Sequence, residues 1–159
     1  MTAKTAKTAK TALAAAVAHD DSGAADYLSP HETRAMLADS REWRSRRVNA
    51  GDMLTSEAAA ALMSTSRTTI NGWVAAGRCI GLDRGLRGFR FPKWQVEPAI
   101  LAWIPKIAEA TGTREGWALL AFLEAPNPAL GGRSPRQALE QGDVDAVLDA
   151  AAVEGTSDR

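Results

Sequence analysis

The chain carries one cysteine, Cys79, and two histidines, His19 and His31. A lone thiol excludes an intrachain disulfide and any zinc site built on cysteine pairs. Both histidines lie near the N-terminus without metal-ligating partners at a usable spacing, so no metal site is expected. His31 falls in the first turn of an expected helix, where solvent exposure suits it better than a role as base. Long apolar runs are missing as well. Residues 12–18 are nearly all alanine, are too short to span a bilayer, and are followed by no convincing cleavage region. Gly85-Leu86-Arg87-Gly88 lacks the lysine and the following helix of a phosphate loop. The expectation is a cytoplasmic, non-enzymatic protein with no metal and no cofactor.

What is present is ordinary in bulk and uneven in detail. The 159 residues suffice for one compact domain or two small ones. The balance of 45% hydrophobic and 24% charged residues is that of a soluble globular protein. The formal net charge of +0 gives no sign of a polyanion binder. The sum hides two opposite segments. Between Leu54 and Gln95, the cations Arg67, Arg78, Arg84, Arg87, Arg90 and Lys93 face only Glu57 and Asp83. From Pro135 onward, Arg136 and Arg159 face Glu140, Asp143, Asp145, Asp149, Glu154 and Asp158. A basic middle and an acidic end fit either two surfaces for two partners or two solvated faces.

Residues 1–27 read as a flexible basic arm. They open on Thr-Ala-Lys three times over, with no large apolar group to bury, and a frayed helix can form at 12–19. The arm can touch DNA phosphates or be inert. Residues 28–51 predict a helix. Ser29 is an N-cap, Pro30 fits the first helical position, and Glu32 completes a capping box. The helix should run to about Val48, with Asn49-Ala50-Gly51 as its stop. Its apolar stripe of Met36, Leu37 and Trp43 is thin, so it should pack on another element or a second subunit.

Residues 52–95 carry the strongest motif. Thr55 or Ser56 can cap a helix over 57–63, with Glu57 favourable in its first turn. Ser64-Thr65 makes a short turn, and Ser66 caps a second helix over 67–76. Its apolar residues Ile70, Trp73 and Val74 share one face, and Gly77 stands where a left-handed residue ends a helix. Two short helices joined this tightly predict a helix-turn-helix. The opposite face then shows Arg67, Thr68, Asn71 and Gly72. Arginine can bond guanine and asparagine adenine, while the free N–H groups at Ser66 can hold a phosphate. Next come two short apolar runs around a Gly- and Arg-rich turn, which predict a hairpin. Phe89 and Phe91 should point to one side. Arg84, Arg87 and Arg90 can then serve a wing on DNA, or can simply solubilise an edge strand. Five tryptophans invite base stacking, but Trp73, Trp94, Trp103 and Trp117 fit core positions better.

The runs from Leu54 to Leu62 and from Ser66 to Arg78 resemble the excisionase and MerR-like winged helix-turn-helix. That family usually has a glycine at the turn, where this chain has Ser64.

Residues 96–159 predict a small all-α bundle. A helix over 96–110 should be interrupted or kinked at Pro105, Thr113 should cap the next, and that one carries Trp117, Leu119, Leu120, Phe122 and Leu123. Ser134-Pro135-Arg136-Gln137 is a second capping box, and Asp143 caps a last helix to about Val153. Within this segment, the run Pro126-Asn127-Pro128-Ala129-Leu130-Gly131-Gly132-Arg133-Ser134-Pro135-Arg136-Gln137-Ala138-Leu139, followed by Gly142 and a final helix, is similar to the toxin-binding domain of Xre/MbcA/ParS antitoxins, and Phe91-Pro92-Lys93-Trp94-Gln95 resembles the lead-in of some members. The combined resemblance covers about residues 52–153. It implies an antitoxin that dimerises, binds its own operator and neutralises an NAD-degrading RES-domain toxin. The toxin-binding residues it implies are Asn127, Leu130, Arg133, Arg136, Asp149, Glu154 and Arg159, with the acidic last helix or the tail covering the toxin's cleft. Acidic groups entering a cationic phosphate site would be electrostatically complementary to it. The alternative is a transcription regulator or excisionase-like factor with no toxin, whose C-terminal bundle only dimerises.

Overall fold

The computed structural model describes residues 30–157. The basic arm, the helix expected at 12–19, the Ser29 cap, Arg159 and the side chains of His31 and Glu32 lie outside that description. The described residues are mainly helical, with a small three-stranded antiparallel sheet. The described residues divide into two units, with the boundary between Arg47 and Val48.

Helix α1 (Pro30–Val48), which lies in the first unit up to Arg47, ends where expected. Its residues from Asp39 to Arg46 are exposed, as its thin apolar stripe requires.

The second unit begins with strand β1 (Met53–Leu54) and two short helices, α2 (Ser56–Leu62) and α3 (Arg67–Ala75). Strands β2 (Leu82–Asp83) and β3 (Phe89–Pro92) form the expected hairpin, with Leu82 opposite Arg90 and Asp83 opposite Phe89. The sheet order is β1-β3-β2, and β1 pairs Leu54 with Phe91. That third strand was not expected, because two residues are too few to show an alternating pattern. After a 3-10 turn at Lys93–Val96 come α4 (Pro98–Leu101), α5 (Ile104–Thr111) and α6 (Gly116–Glu124). A 3-10 turn at Pro128–Leu130 leads to α7 (Pro135–Glu140) and α8 (Val144–Ser157).

Three boundaries differ from the sequence reading. The helix expected over 96–110 is two helices, and Pro105 sits in the first turn of the second. Proline lacks the N–H a helix interior needs but loses nothing in a first turn, so the break precedes it. Thr113 accepts a hydrogen bond from Glu115 N–H, and Glu115 is the cap of α6, its carboxylate accepting from Trp117 N–H at 3.0 Å and Ala118 N–H at 2.7 Å. The last helix runs on to Ser157.

Two hydrophobic cores lie inside the second unit. One gathers Ala59, Ala60, Ile70, Cys79 and Phe91 beneath α2, α3 and the sheet. The larger holds Ile80, Leu82 and Trp94 with the inner faces of α4 to α8. The segments 52–95 and 96–159 thus fold together within one unit. A side-chain clamp holds the Ile80 backbone within the first segment, and a glycine contact joins the two. Gln95 is fully buried, accepts from Ile80 N–H at 2.7 Å and donates to Ile80 C=O at 2.8 Å. A β-carbon on Gly116 would stand 2.2 Å from Gly81 O, so the start of α6 rests directly on the backbone that follows α3.

Candidate functional site

The α2–α3 pair is held by caps at both starts. Thr55 Oγ1 accepts from Ala58 N–H at 3.1 Å, and Ser66 Oγ accepts from Thr69 N–H at 3.1 Å. Such caps satisfy helix-end donors that otherwise lack partners. Between them, Thr65 N–H reaches Ala60 O at 2.9 Å. Ser64 adopts φ 52, the left-handed conformation for which glycine is the usual choice. Gly77, at φ 73, takes the left-handed position expected just past α3.

The residues singled out on α3 fall into three environments. Arg67 and Thr68 are exposed, and Arg67 Nη1 donates to Glu57 Oε1 at 3.0 Å. Ser66 is exposed, but its hydroxyl also donates to Thr69 Oγ1 at 2.9 Å, so its capping role occupies it. Asn71 is half-buried, and its Oδ1 is a buried atom with no hydrogen-bond partner among the described residues. The expectation that Asn71 stands on the fully outward face is corrected to that extent: it sits beside buried Ile70, at the edge of the apolar stripe. Trp73 is half-buried, and Arg78 lies over its ring at 5.0 Å.

Ile70 and Val74 of α3 pack in the same core as Phe89 and Phe91 of the hairpin, whose rings meet edge to face at 6.2 Å. Helix and hairpin therefore share one core. At the hairpin tip, Gly85 takes φ 64 and Gly88 φ 76, and Arg84 N–H bonds Gly88 O at 2.9 Å. Asp83 Oδ1 accepts from Gly85 N–H at 2.8 Å, which ties the one carboxylate of the hairpin to its own turn. Arg87 is exposed, while Arg84 and Arg90 are half-buried. Leu86, placed by sequence merely in the turn, is wholly exposed.

Cys79 is buried beneath α3, with its thiol 3.9 Å from Ile70 O. Burial pushes its pKa up to about 12 against the opposing charge of Arg78, so it stays a protonated apolar side chain.

The described C-terminal residues singled out differ in their environments. Asn127 Oδ1 accepts from Ala129 N–H at 2.9 Å, capping the 3-10 turn. Leu130 is only 3% exposed and belongs to the larger core, so its role is packing rather than direct contact with a partner. Arg133 spans the loop, donating to Leu130 O at 2.9 Å, to Gln141 Oε1, and to Asp143 Oδ2 at 2.7 Å. The capping box opening α7 has both its bonds, Gln137 N–H to Ser134 Oγ and Ser134 N–H to Gln137 Oε1. Arg136 pairs with Glu140 at 3.1 Å and lies over the buried Trp94 ring at 5.2 Å. Asp149 and Glu154 are exposed on α8, where Asp145, Asp149 and the exposed Val153 follow one another at four-residue steps.

Among the described residues there is no group of three or more His, Cys, Asp or Glu side chains that could hold a metal ion. Nor is any described helix long and apolar enough to cross a membrane. No family model, no curated protein and no solved structure matches the chain.

Proposed function

We propose that this chain is a DNA-binding antitoxin. In this reading α2 and α3 are a helix-turn-helix with α3 as recognition helix, and the β2–β3 hairpin is its wing. The observation that carries it is two short capped helices, joined through a left-handed turn residue, sharing a core with an arginine-bearing hairpin. Arg67 and Thr68 at the exposed start of α3 supply base and phosphate contacts, and Arg84, Arg87 and Arg90 hold the backbone. Gly72 is exposed with nothing within 4 Å of where a β-carbon would stand, which leaves room for close approach to a groove. The chain acts as a dimer, because one half-site gives little specificity.

The toxin-binding part of the reading rests on the resemblance of residues 126–139, with Gly142 and the last helix, to the Xre/MbcA/ParS domain. The exposed acidic stripe of α8, with Asp149 and Val153, is the surface that suits a cationic cleft. A RES-domain toxin is the proposed partner, and operator binding by the complex would regulate its own expression in the cytoplasm.

The test is co-purification with the product of the adjacent gene, followed by size exclusion with light scattering. Deleting residues 126–159 is unsuitable as a control, because Val147, Ala150 and Ala151 of α8 belong to the core. Surface variants serve instead. A stable complex that Asp149→Lys disrupts, with the fold intact, supports the antitoxin reading. A clean dimer that shifts promoter DNA and binds no neighbour leaves a plain DNA-binding regulator.

A further inference from the structure

We infer that Leu86 is an apolar wedge that enters the minor groove at a base step and kinks the duplex, with Arg84 and Arg87 holding the phosphates on either side. This rests on the DNA-binding reading above and deepens it by naming how the hairpin engages the groove.

Four large hydrophobic side chains are conspicuously exposed among the described residues, and Leu86 is the only one wholly so. It sits at the far end of the hairpin, where no other described residue covers it. Its presentation is fixed rather than accidental. Arg84 N–H bonds Gly88 O, Arg87 N–H bonds Arg84 O, and Gly88 N–H bonds Gly85 O. The two glycines take positive φ, and together with the 3-10 turn Gly85–Arg87 they hold the side chain at the apex. The neighbouring carboxylate of Asp83 is occupied by Gly85 N–H, so the apex presents one apolar group between cations.

That composition selects the occupant. A protein interface needs a contiguous patch, with charge depleted at its apolar centre. A single leucine flanked by arginines has neither property. Minor-groove binders combine these two elements, arginines that follow the groove's negative potential and a Leu, Ile, Phe or Met that separates a base step. Unstacking is cheapest at pyrimidine–purine steps, so the wedge also gives a preference for such a step at a fixed distance from the bases read by α3.

The experiment uses the full chain and the duplex spanning the promoter of its own gene, labelled at its ends with donor and acceptor fluorophores. Anisotropy reads affinity and energy transfer reads bending. The wild-type protein should raise energy transfer on binding. Leu86→Ala should lose most of that rise and bind several-fold more weakly, with an unchanged salt slope because no cation has been removed. Leu86→Met should keep the bend. Bending by Leu86→Ala equal to wild type, or binding without any bend, overturns the wedge and leaves the DNA reading standing. A change of oligomeric state in Leu86→Ala, read by light scattering, overturns it in favour of contact with a second copy. If the wild-type protein binds no duplex at all, the DNA reading fails and the wedge with it.

Discussion

Replacing Gln95 should cost this fold more than any other single polar substitution at an uncharged side chain. The side chain is fully buried and satisfies both the N–H and the C=O of Ile80, itself fully buried, at 2.7 and 2.8 Å. It acts as one rung of a ladder for a residue that has no strand partner. Gln95→Leu keeps most of the volume but orphans both backbone groups. Each buried unsatisfied group costs about 1–3 kcal/mol, so the pair is worth about 2–6 kcal/mol. Gln95→Ala adds a cavity and should cost more. Against a total stability of about 5–15 kcal/mol for a typical domain, either change is severe. Gln95→Glu isolates the chemistry. An ionised carboxylate accepts from Ile80 N–H but cannot donate to Ile80 C=O, and it is charged in a dry site. Its folded pKa would be raised, so its stability is present at low pH and is lost as pH rises through that value. Urea unfolding followed by tryptophan fluorescence measures all three variants. A loss below about 1 kcal/mol for Gln95→Leu would refute the reasoning, since no ordinary cost of an orphaned buried pair is that small.

Other expectations follow from the backbone. Ser64→Gly removes the left-handed strain at φ 52 and should stabilise by up to about 1 kcal/mol in the same assay, the relief being partly offset by glycine's unfolded-state entropy. Two alanine substitutions should act in opposite directions. Gly72→Ala in the middle of α3 meets open space and should stabilise by about 0.8–1 kcal/mol, whereas Gly116→Ala drives a β-carbon onto Gly81 O and should destabilise by at least about 1–3 kcal/mol. The Cys79 thiol, its pKa pushed up to about 12, should resist a disulfide reagent at pH 8 in the native protein and react at once in denaturant. Because burial raises its folded pKa above that of a free thiol, it favours the fold below the free-thiol value, and this contribution is lost as pH climbs toward about 12. Rapid labelling of native protein would contradict its burial.

Features set by local rules were legible in the sequence. The Ser66 cap, the Ser134–Gln137 capping box and Gly77 past α3 stand where their residue types put them, and the hairpin followed from its turn chemistry. Features set by distant partners were not. Strand β1 exists because β3 offers it an edge. The Gln95 clamp spans fifteen residues and reads, in sequence, as an ordinary polar position. Glu115 caps α6 although aspartate, asparagine, serine and threonine are the usual choices. Among the site residues, Arg67 and Arg87 are as exposed as the pattern implied. Asn71 is half-buried beside Ile70, and Leu130 joins the larger core, as its apolar side chain favours. The pairing of Arg67 with Glu57 was invisible because it crosses between two helices.

Docking of residues 52–95 on duplex DNA is the proposal on which the recognition-helix, wing and wedge readings depend. Its most direct test is an anisotropy titration of the full chain on its own promoter duplex across a series of salt concentrations. Binding should be saturable, with an affinity that falls linearly in log–log form with salt. Arg87→Ala should reduce the slope by about 0.9 on every duplex, as expected when one phosphate is no longer neutralised. Arg67→Ala should cost about 1–3 kcal/mol on the promoter alone if it reads a guanine. No binding at low salt, or both variants binding as wild type does, would rule out DNA docking by these residues.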